Sequence, residues 1–549
     1  MDDSQDNQPK SSFLKKKGVV IVLILFILLG FYLRVYHVDY PVVGYHNWKE
    51  THYLTEARNF AREGFFSAGF FVPMWDYPGI YEEQNGSHSD TFPTTPIIVG
   101  LLFNIFGISL TLARLTNIFL SLGSIFFMYL IVKNLFNRED LALLSAFILA
   151  INPLNIFFGR QMDLINSALF FTLAGTYFYL LWLKLPNWKN TILFSIFFAL
   201  GVLTKYTFVL LFFPMLFIFP FKKLLDKSMI KKHLFILFIA SLSLAWVLYI
   251  PTVSTTLGEE LESTELGLVF SSEFWNVMKS FFSDNYTLYG VWLFVIGAVL
   301  FALFSIKSKK YKTNVGYKYF LVYLASSIPW FVYMSYKLQG HNYHQYPLLP
   351  LYCLIVAYSI LFISVNAAKI INVKKLKWVF VIILLFFLLT SSITSKNRMF
   401  DTQFIGLDVA GDYINNNKLP GEQVVHSSHQ AYGLLWHADV KGTGGIPSKV
   451  DDLKYALNNL SAPWLFAYNW DFAKIFEDPE LSEFIQSNYH LEQLGFIQSN
   501  GNYVPVYILL KHGGSFSEVE INLFVSSREM KTREYENSNG KYSLLYVDK

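Results

Sequence analysis

The sequence predicts a polytopic α-helical membrane protein, with about 11 transmembrane helices, a large first outer loop and a C-terminal extracytoplasmic α/β domain. Three observations carry this. The 549 residues are 53% hydrophobic, 18% aromatic and only 15% charged, too apolar for a soluble globule. Apolar runs of spanning length recur from residue 18 to residue 394. Beyond residue 394 the chain turns polar, and helix-like stretches such as "SKVDDLKYALNNL" alternate with strand-like ones such as "APWLFAYNW" and "YVPVYILLK", with Gly444-Gly445 and Gly513-Gly514 as turns. The single cysteine, Cys353, excludes a disulfide framework within one chain. No phosphate-binding glycine loop is present, and the modest net charge of +4 gives no sign of a nucleic-acid partner.

Residues 1–17 form a polar cytoplasmic tail closed by Lys15, Lys16 and Lys17, and the apolar run after it lacks a small-residue cleavage site, so it reads as a retained first helix. A hydrocarbon core of about 30 Å requires roughly 20 apolar residues. By that ruler the candidate spans of the transmembrane domain, 18–394, are 18–36, 112–134, 140–158, 164–183, 190–205, 206–221, 233–251, 287–306, 317–334, 346–366 and 377–394. The run "PIIVGLLFNIFG", Pro96 to Gly107, is too short, and charge decides its placement. If it does not cross, the basic loops around Lys133 and Arg138, Lys184 and Lys189, Lys222 to Lys232, Lys307 to Lys312 and Lys369 to Lys377 all fall on the cytoplasmic side with Lys15 to Lys17. It is therefore expected at the outer interface, inside the loop 37–111, and the odd number of spans puts residues 395–549 outside.

The loop opens on "HNWKETHYLTEARNFAREGFF". Asn47 followed by Glu50 has the spacing of a capping box, Gly64 suits a helix stop, and Tyr53, Leu54, Ala57, Phe60 and Ala61 share one face of an amphipathic interfacial helix. On these spacings alone Glu50 is a cap. The topology, however, collects other ionisable residues on the same side: Lys49 and Arg58 on this helix, Asp90 in "DTFPTTP", Arg160 and Asp163 in "FFGRQMDLINS", Lys205 in "GVLTKYTF", and His341, Tyr343 and His344 in "QGHNYHQYP". Charge at membrane depth is costly and marks candidate sites. Each residue also has a structural reading: Arg160 and Asp163 as an i, i+3 pair, Lys205 snorkelling to the headgroups, the His and Tyr residues as an aromatic belt. A metal site from His46, His52, His341 and His344 lacks ligand spacing, so no metal ligand is assigned.

The order of "FYLRVYHVDYP", "KETHYLTEARNFAREGFF", "FPTTPIIVGLLFNIFG", "ARLTNIFLSLGSIFFMYLIVKNLF", "FGRQMDLINSALFF", "ALGVLTKYTFVLL" and "HQYPLLPLY" resembles the glycosyltransferase family 39 type of membrane enzyme, of the C-type superfamily, over about residues 18–366. Its relatives include protein O-mannosyltransferases and lipid A aminoarabinose transferases. The resemblance implies transfer of a sugar from a polyprenyl-phosphate carrier to a protein, lipid A or other glycan on the outer face of the membrane, and with nothing resembling an endoplasmic-reticulum retention signal a prokaryotic inner membrane is expected. It implies no certain cofactor and leaves a divalent cation open. The family's acidic pair at the start of the interfacial helix aligns with Lys49 and Glu50, so a cation replaces the first acid and Glu50 is the surviving carboxylate. Asp90 and Asp163 match two further acidic positions, and Lys205 matches a lysine near the lipid phosphate.

The chemistry asks for these residue types. A carboxylate must take the acceptor's proton, a role open to Glu50, Asp90 or Asp163, and cations such as Lys49, Arg58, Arg160 and Lys205 must stabilise the leaving phosphate. Tyr343, His344, Trp48 and Trp75 are candidates to line the substrate cleft. Two alternatives stand beside this: a transporter or lipid flippase, disfavoured by the absence of an internal repeat, and a family member that binds the carrier without turnover, which Lys49 keeps open.

Overall fold

The computed structural model describes residues 10–549 apart from 75, 77–79, 82–90, 254–264, 308–313, 427–430, 444–446 and 500. Asp90, Trp75, the turn at Gly444 and Gly445 and the basic residues Lys309, Lys310 and Lys312 lie outside the described residues. The chain divides into two compact units. One consists mainly of residues 1–38, 114–252 and 257–396, and the other mainly of residues 39–113 and 397–549.

In chain order the helices up to the tail are α1 (Lys10–Val35), α2 (Asn47–Glu63), α3 (Thr94–Phe106), α4 (Leu110–Phe136), α5 (Glu139–Ile151), α6 (Pro153–Arg160), α7 (Leu164–Lys184), α8 (Trp188–Thr204) and α9 (Phe212–Phe217). They continue with α10 (Ile230–Tyr249), α11 (Ser272–Tyr286), α12 (Leu288–Lys307), α13 (Val315–Tyr333), α14 (Ser335–Gly340), α15 (Leu349–Ile370) and α16 (Leu376–Asp401). Seven segments are continuous, long and apolar enough to cross a bilayer: Lys17–Val35, Leu110–Phe136, Leu164–Lys184, Lys227–Thr252, Leu288–Lys307, Asn342–Ile370 and Leu376–Asp401. The protein is an integral membrane protein with many spans, but four of the eleven expected spans depart from a plain crossing helix. Span 140–158 is broken at Asn152-Pro153, where α5 and α6 meet at 57°. Proline at the first position of α6 cannot continue the ladder of α5, and Asn152 caps the new helix by accepting from the Asn155 amide at 3.0 Å. Spans 190–205 and 206–221 become the 17-residue α8, an extended Lys205, a 3₁₀ turn at Tyr206–Leu211 and the short α9. Span 317–334 is the 19-residue α13, whose apolarity Lys318 and four tyrosines dilute and which carries Pro329 inside. In the first unit, α7 and the Asn342–Ile370 segment are largely buried, whereas Lys227–Thr252 and Leu376–Asp401 expose most of their surface, as lipid-facing helices do.

The second unit is built on a seven-stranded sheet. Its elements are α17 (Leu407–Asn417), β1 (Val424–His426), α18 (Gly433–Ala438), β2 (Gly442–Thr443), α19 (Val450–Leu460), β3 (Trp464–Tyr468), α20 (Phe472–Phe476), α21 (Pro479–Asn488), β4 (Tyr489–Ser499), β5 (Asn502–His512), α22 (Glu518–Ser526), β6 (Lys531–Asn537) and β7 (Gly540–Asp548). The strand order is β2-β1-β3-β5-β4-β7-β6. The first three strands are parallel and the rest pair antiparallel, so short crossover helices serve one half and hairpins the other. Each face carries its own core, one around Leu407, Leu434, Phe466 and Tyr507 and the other around Leu453, Leu465, Ile485 and Leu510.

This unit takes in the first outer loop, which departs from an independent tail beginning at 395. Gly44 bridges Gln403, the Phe404 amide donates to the Val43 carbonyl at 2.6 Å, and the Gly442 amide donates to the Asp76 carbonyl at 2.8 Å. Helix α3, at 13 residues, is about 20 Å long, too short to cross. Helix α2 is not amphipathic at an interface: from Asn47 to Phe60 it is buried nearly all round. Nor does Asn47 cap it. His46 holds the N-cap position at φ 57°, and the Asn47 side chain instead accepts from the Gly433 amide at 2.9 Å, so the expected capping box does not form. Gly64 does stop the helix, at φ 90° with its amide bonded to the Phe60 carbonyl.

Candidate functional site

Within the membrane-spanning unit the candidate residues converge on one turn. The 3₁₀ segment Asn342–Leu348 packs against α6, α7 and the 206–211 turn, which bring Arg160, Asp163 and Lys205 respectively to its neighbourhood. Buried amides fix this convergence. Asn152 Nδ2 donates to the Asn285 carbonyl, Asn285 Nδ2 reaches the Asn342 carbonyl and Gln345 Oε1, and Asn342 Nδ2 returns to Asn285 Oδ1, all between 2.9 and 3.0 Å. A polar network inside an apolar domain holds geometry only when its members find partners, as these do. Tyr343, 2% exposed, stacks face to face with His341 at 5.2 Å and meets Phe158 edge-on at 5.8 Å, so part of the ring surface expected to meet sugar is already covered. His344 is buried beside it, with ring centroids 4.5 Å apart.

Arg160 and Asp163 are not an i, i+3 pair on one helix. Arg160 ends α6 and donates to the carbonyls of Tyr36 and His37 at 3.2 and 2.9 Å. Asp163 is the N-cap of α7, one oxygen accepting from the Ile165 amide at 3.1 Å, a structural duty that the sequence reading did not give it. Sequence reasoning also missed three buried cations of this unit. Arg114 donates to the carbonyls of His37 and Val38, and the Lys396 ammonium lies 4.8 Å from the centre of the Tyr36 ring, so Arg114, Arg160 and Lys396 surround residues 36–38. The third, Arg34, is 0% exposed and among the described residues hydrogen-bonds only to neutral partners: Ser121 Oγ at 2.9 Å, the Gly30 carbonyl at 2.9 Å and the Ala150 carbonyl at 3.0 Å. Gly159 makes room for it, since a Cβ there would stand 2.7 Å from Arg34 Nε. From Ser121 the contacts run through Asn155 to the Tyr346 hydroxyl, 2.9 Å from Asn155 Oδ1, and so back to the same turn. Lys205 is 5% exposed, and among the described residues no carboxylate lies within ion-pairing distance of it. The signal that could have found Arg34 was its place at the end of an apolar run.

The second unit holds Lys49, Glu50 and Arg58. Glu50 is 2% exposed, and the Lys49 ammonium sits 5.0 Å from the Trp48 ring centre and 5.8 Å from that of Tyr53. Arg58, expected at a substrate phosphate, is instead held by two carboxylates, Asp76 at 3.0 Å and Asp439 at 2.7 Å, and lies over Trp436. Its charge is committed to joining α2 to the sheet domain. Arg62 forks onto Asp439 with two bonds of 2.8 Å. Burial disfavours charge on Asp439, but the Arg62 hydrogen bonds and the charges of Arg58, Arg62 and Lys418 outweigh it and hold its carboxyl down at about 2. A depressed carboxylate stabilises the fold above its unfolded value near 3.8 and loses that contribution as pH falls through about 2. With its side chain about one-third exposed, solvent screening reduces this to about 1 kcal/mol. Asp439→Asn is therefore expected to lower the thermal midpoint at neutral pH, with the gap from the parent closing as pH falls from 4 toward 2; a gap independent of pH would contradict it. Among the described residues no three His, Cys, Asp or Glu side chains gather as metal ligands.

Residues 88–250 match the sequence model of the family described as dolichyl-phosphate-mannose-protein mannosyltransferase. No curated protein matches the chain. Among solved structures, ArnT from Cupriavidus metallidurans in the apo state superposes with a TM-score of 0.56 at 10% identity, covering 90% of this chain and 98% of that one. ArnT bound to undecaprenyl phosphate gives 0.53 at 10% identity, covering 88% and 97%. The Archaeoglobus fulgidus oligosaccharyltransferase, solved with zinc and sulfate, gives 0.54 at 13% identity, covering 94% and 79%. At these identities the superpositions speak for the fold, a polytopic helical domain with a C-terminal sheet domain. Together with the match over residues 88–250, they agree with the resemblance to the family 39 type of membrane glycosyltransferase that the order of motifs suggested.

Proposed function

We propose that this protein transfers a sugar from a polyprenyl-phosphate carrier to an acceptor on the extracytoplasmic side of the membrane. The observation that carries the reading is that Arg34 and Lys205 are each buried in the membrane-spanning unit, with no carboxylate bonded to either among the described residues. An ion held that way costs several kcal/mol unless an opposite charge arrives, and a lipid-borne phosphate is an anion that reaches this depth. The match to a mannosyltransferase family and the undecaprenyl phosphate bound to ArnT point the same way.

In this reading the acceptor's oxygen attacks the anomeric carbon, the bond from that carbon to the phosphate oxygen breaks, and the acceptor's proton passes to a carboxylate. Glu50 is the preferred base, with Asp90 and Asp163 as the other candidates. Lys205 and Arg160, supported by Arg34, stabilise the charge that grows on the leaving phosphate. Lys49, next to Glu50 in the chain, is a further candidate cation for the substrate, and Tyr343 and His344 are candidate substrate contacts of the membrane-spanning unit. The test is to incubate the purified protein with a panel of polyprenyl-phosphate sugars and a mixed acceptor extract, following release of the bare lipid phosphate. Release with at least one donor, dependent on acceptor, is expected. Binding of the lipid without release from any donor would favour a carrier-binding protein in place of an enzyme.

A further inference from the structure

The end of the membrane-spanning unit where α4 passes to α5 carries a cavity of about 290 Å³ that the proposed reaction does not use. By the distribution of Lys and Arg this is the cytoplasmic end. Phe304 of α12, Tyr317 of α13 and Tyr358 and Phe362 of α15 wall it, with Arg138 and Lys369 also lining it. The wall is a packed aromatic surface: Phe304 lies 5.7 Å from Phe362, and Tyr358 stacks on Phe362 at 6.4 Å. Arg138 forks onto Asp140 with bonds of 3.0 and 2.7 Å, which cancels one charge. Lys369 is exposed, and among the described residues no carboxylate pairs with it, so the lining keeps an excess positive charge.

A slot with an aromatic wall on one part and cationic and polar side chains on another matches a molecule with a negative head and an apolar tail. We infer that the cavity binds an anionic phospholipid of the adjoining leaflet, its phosphate at Arg138 and Lys369 and an acyl chain against Phe304 and Phe362. A free phosphate would satisfy the cations but leave the aromatic wall unused. A zwitterionic lipid would fill the wall while bringing its own cation to Lys369. Basic side chains near a membrane surface each favour anionic lipid by a modest amount, so removing both should weaken retention roughly tenfold.

The test is native mass spectrometry of the full-length protein titrated with phosphatidylglycerol or with phosphatidylcholine of the same chains. Tight retention of one phosphatidylglycerol is expected, with a loss of about tenfold in R138Q/K369Q and little change in K374Q/K375Q, which removes the same charge from the same surface. Phe362→Ala is expected to weaken retention without altering charge. Equal retention of both lipids, or an equal loss in the K374Q/K375Q control, would overturn the site in favour of unspecific surface attraction. Displacement of the lipid by millimolar inorganic phosphate would overturn it in favour of a soluble anion. Thermal midpoints of each variant guard against misreading a folding defect, and retention unchanged in a folded R138Q/K369Q overturns the proposal as well.

Discussion

Lys205→Met is expected to cut release of lipid phosphate by about 100-fold to 1,000-fold while leaving the protein as stable as the parent, or more so. The two halves of this result have one cause. Lys205 is extended at the end of α8, is 5% exposed and has no carboxylate bonded to it among the described residues. A buried ammonium in that setting costs folding free energy, and methionine of similar length and shape removes the cost while filling the space. A purely structural lysine would behave in the opposite way, with stability falling and turnover following it. Thermal unfolding and the release assay on the same preparation separate the cases. Full turnover in a folded Lys205→Met protein would remove Lys205 from the mechanism.

How much of this was legible in the sequence depended on how local the signal was. Lys205 and Arg160 stood out because a charge interrupting apolar sequence is visible in a window of a few residues. Arg34 lies near the end of the first apolar run and was not singled out; only the Ser121, Gly30 and Ala150 contacts and the space left by Gly159 reveal its burial. The capping box at Asn47 failed for a different reason. Its pattern is local, but the amide that claims the Asn47 side chain belongs to Gly433, and no window spans that distance. The ion pair of Arg58 was out of reach likewise, since Asp439 lies far along the chain. One helix of the sheet domain, α19, and two strands, β3 and β5, were readable from periodicity, whereas its union with the first loop through Gly44, Val43 and Asp76 was not. The count of eleven spans rested on a ruler that assumes unbroken helices, whereas the helices are interrupted at Pro153 and Lys205.

Glu50→Gln is expected to abolish acceptor-dependent release by a factor of about 100 to 10,000 while sparing the binding of the lipid carrier. Glutamine keeps the shape of the side chain and removes the proton acceptor, so at a site that is 2% exposed packing is preserved and chemistry is lost. The comparison that gives the result meaning is Asp163→Asn. Asp163 caps α7 through the Ile165 amide, and asparagine caps as well as aspartate, so that variant should fold normally. If Asp163 serves α7 alone, its variant keeps most of its turnover and Glu50→Gln does not. Loss of release in Asp163→Asn or Asp90→Asn with Glu50→Gln unaffected would move the base off α2, and would make Lys49, where the family carries its first acid, the sign that the reaction is run from elsewhere.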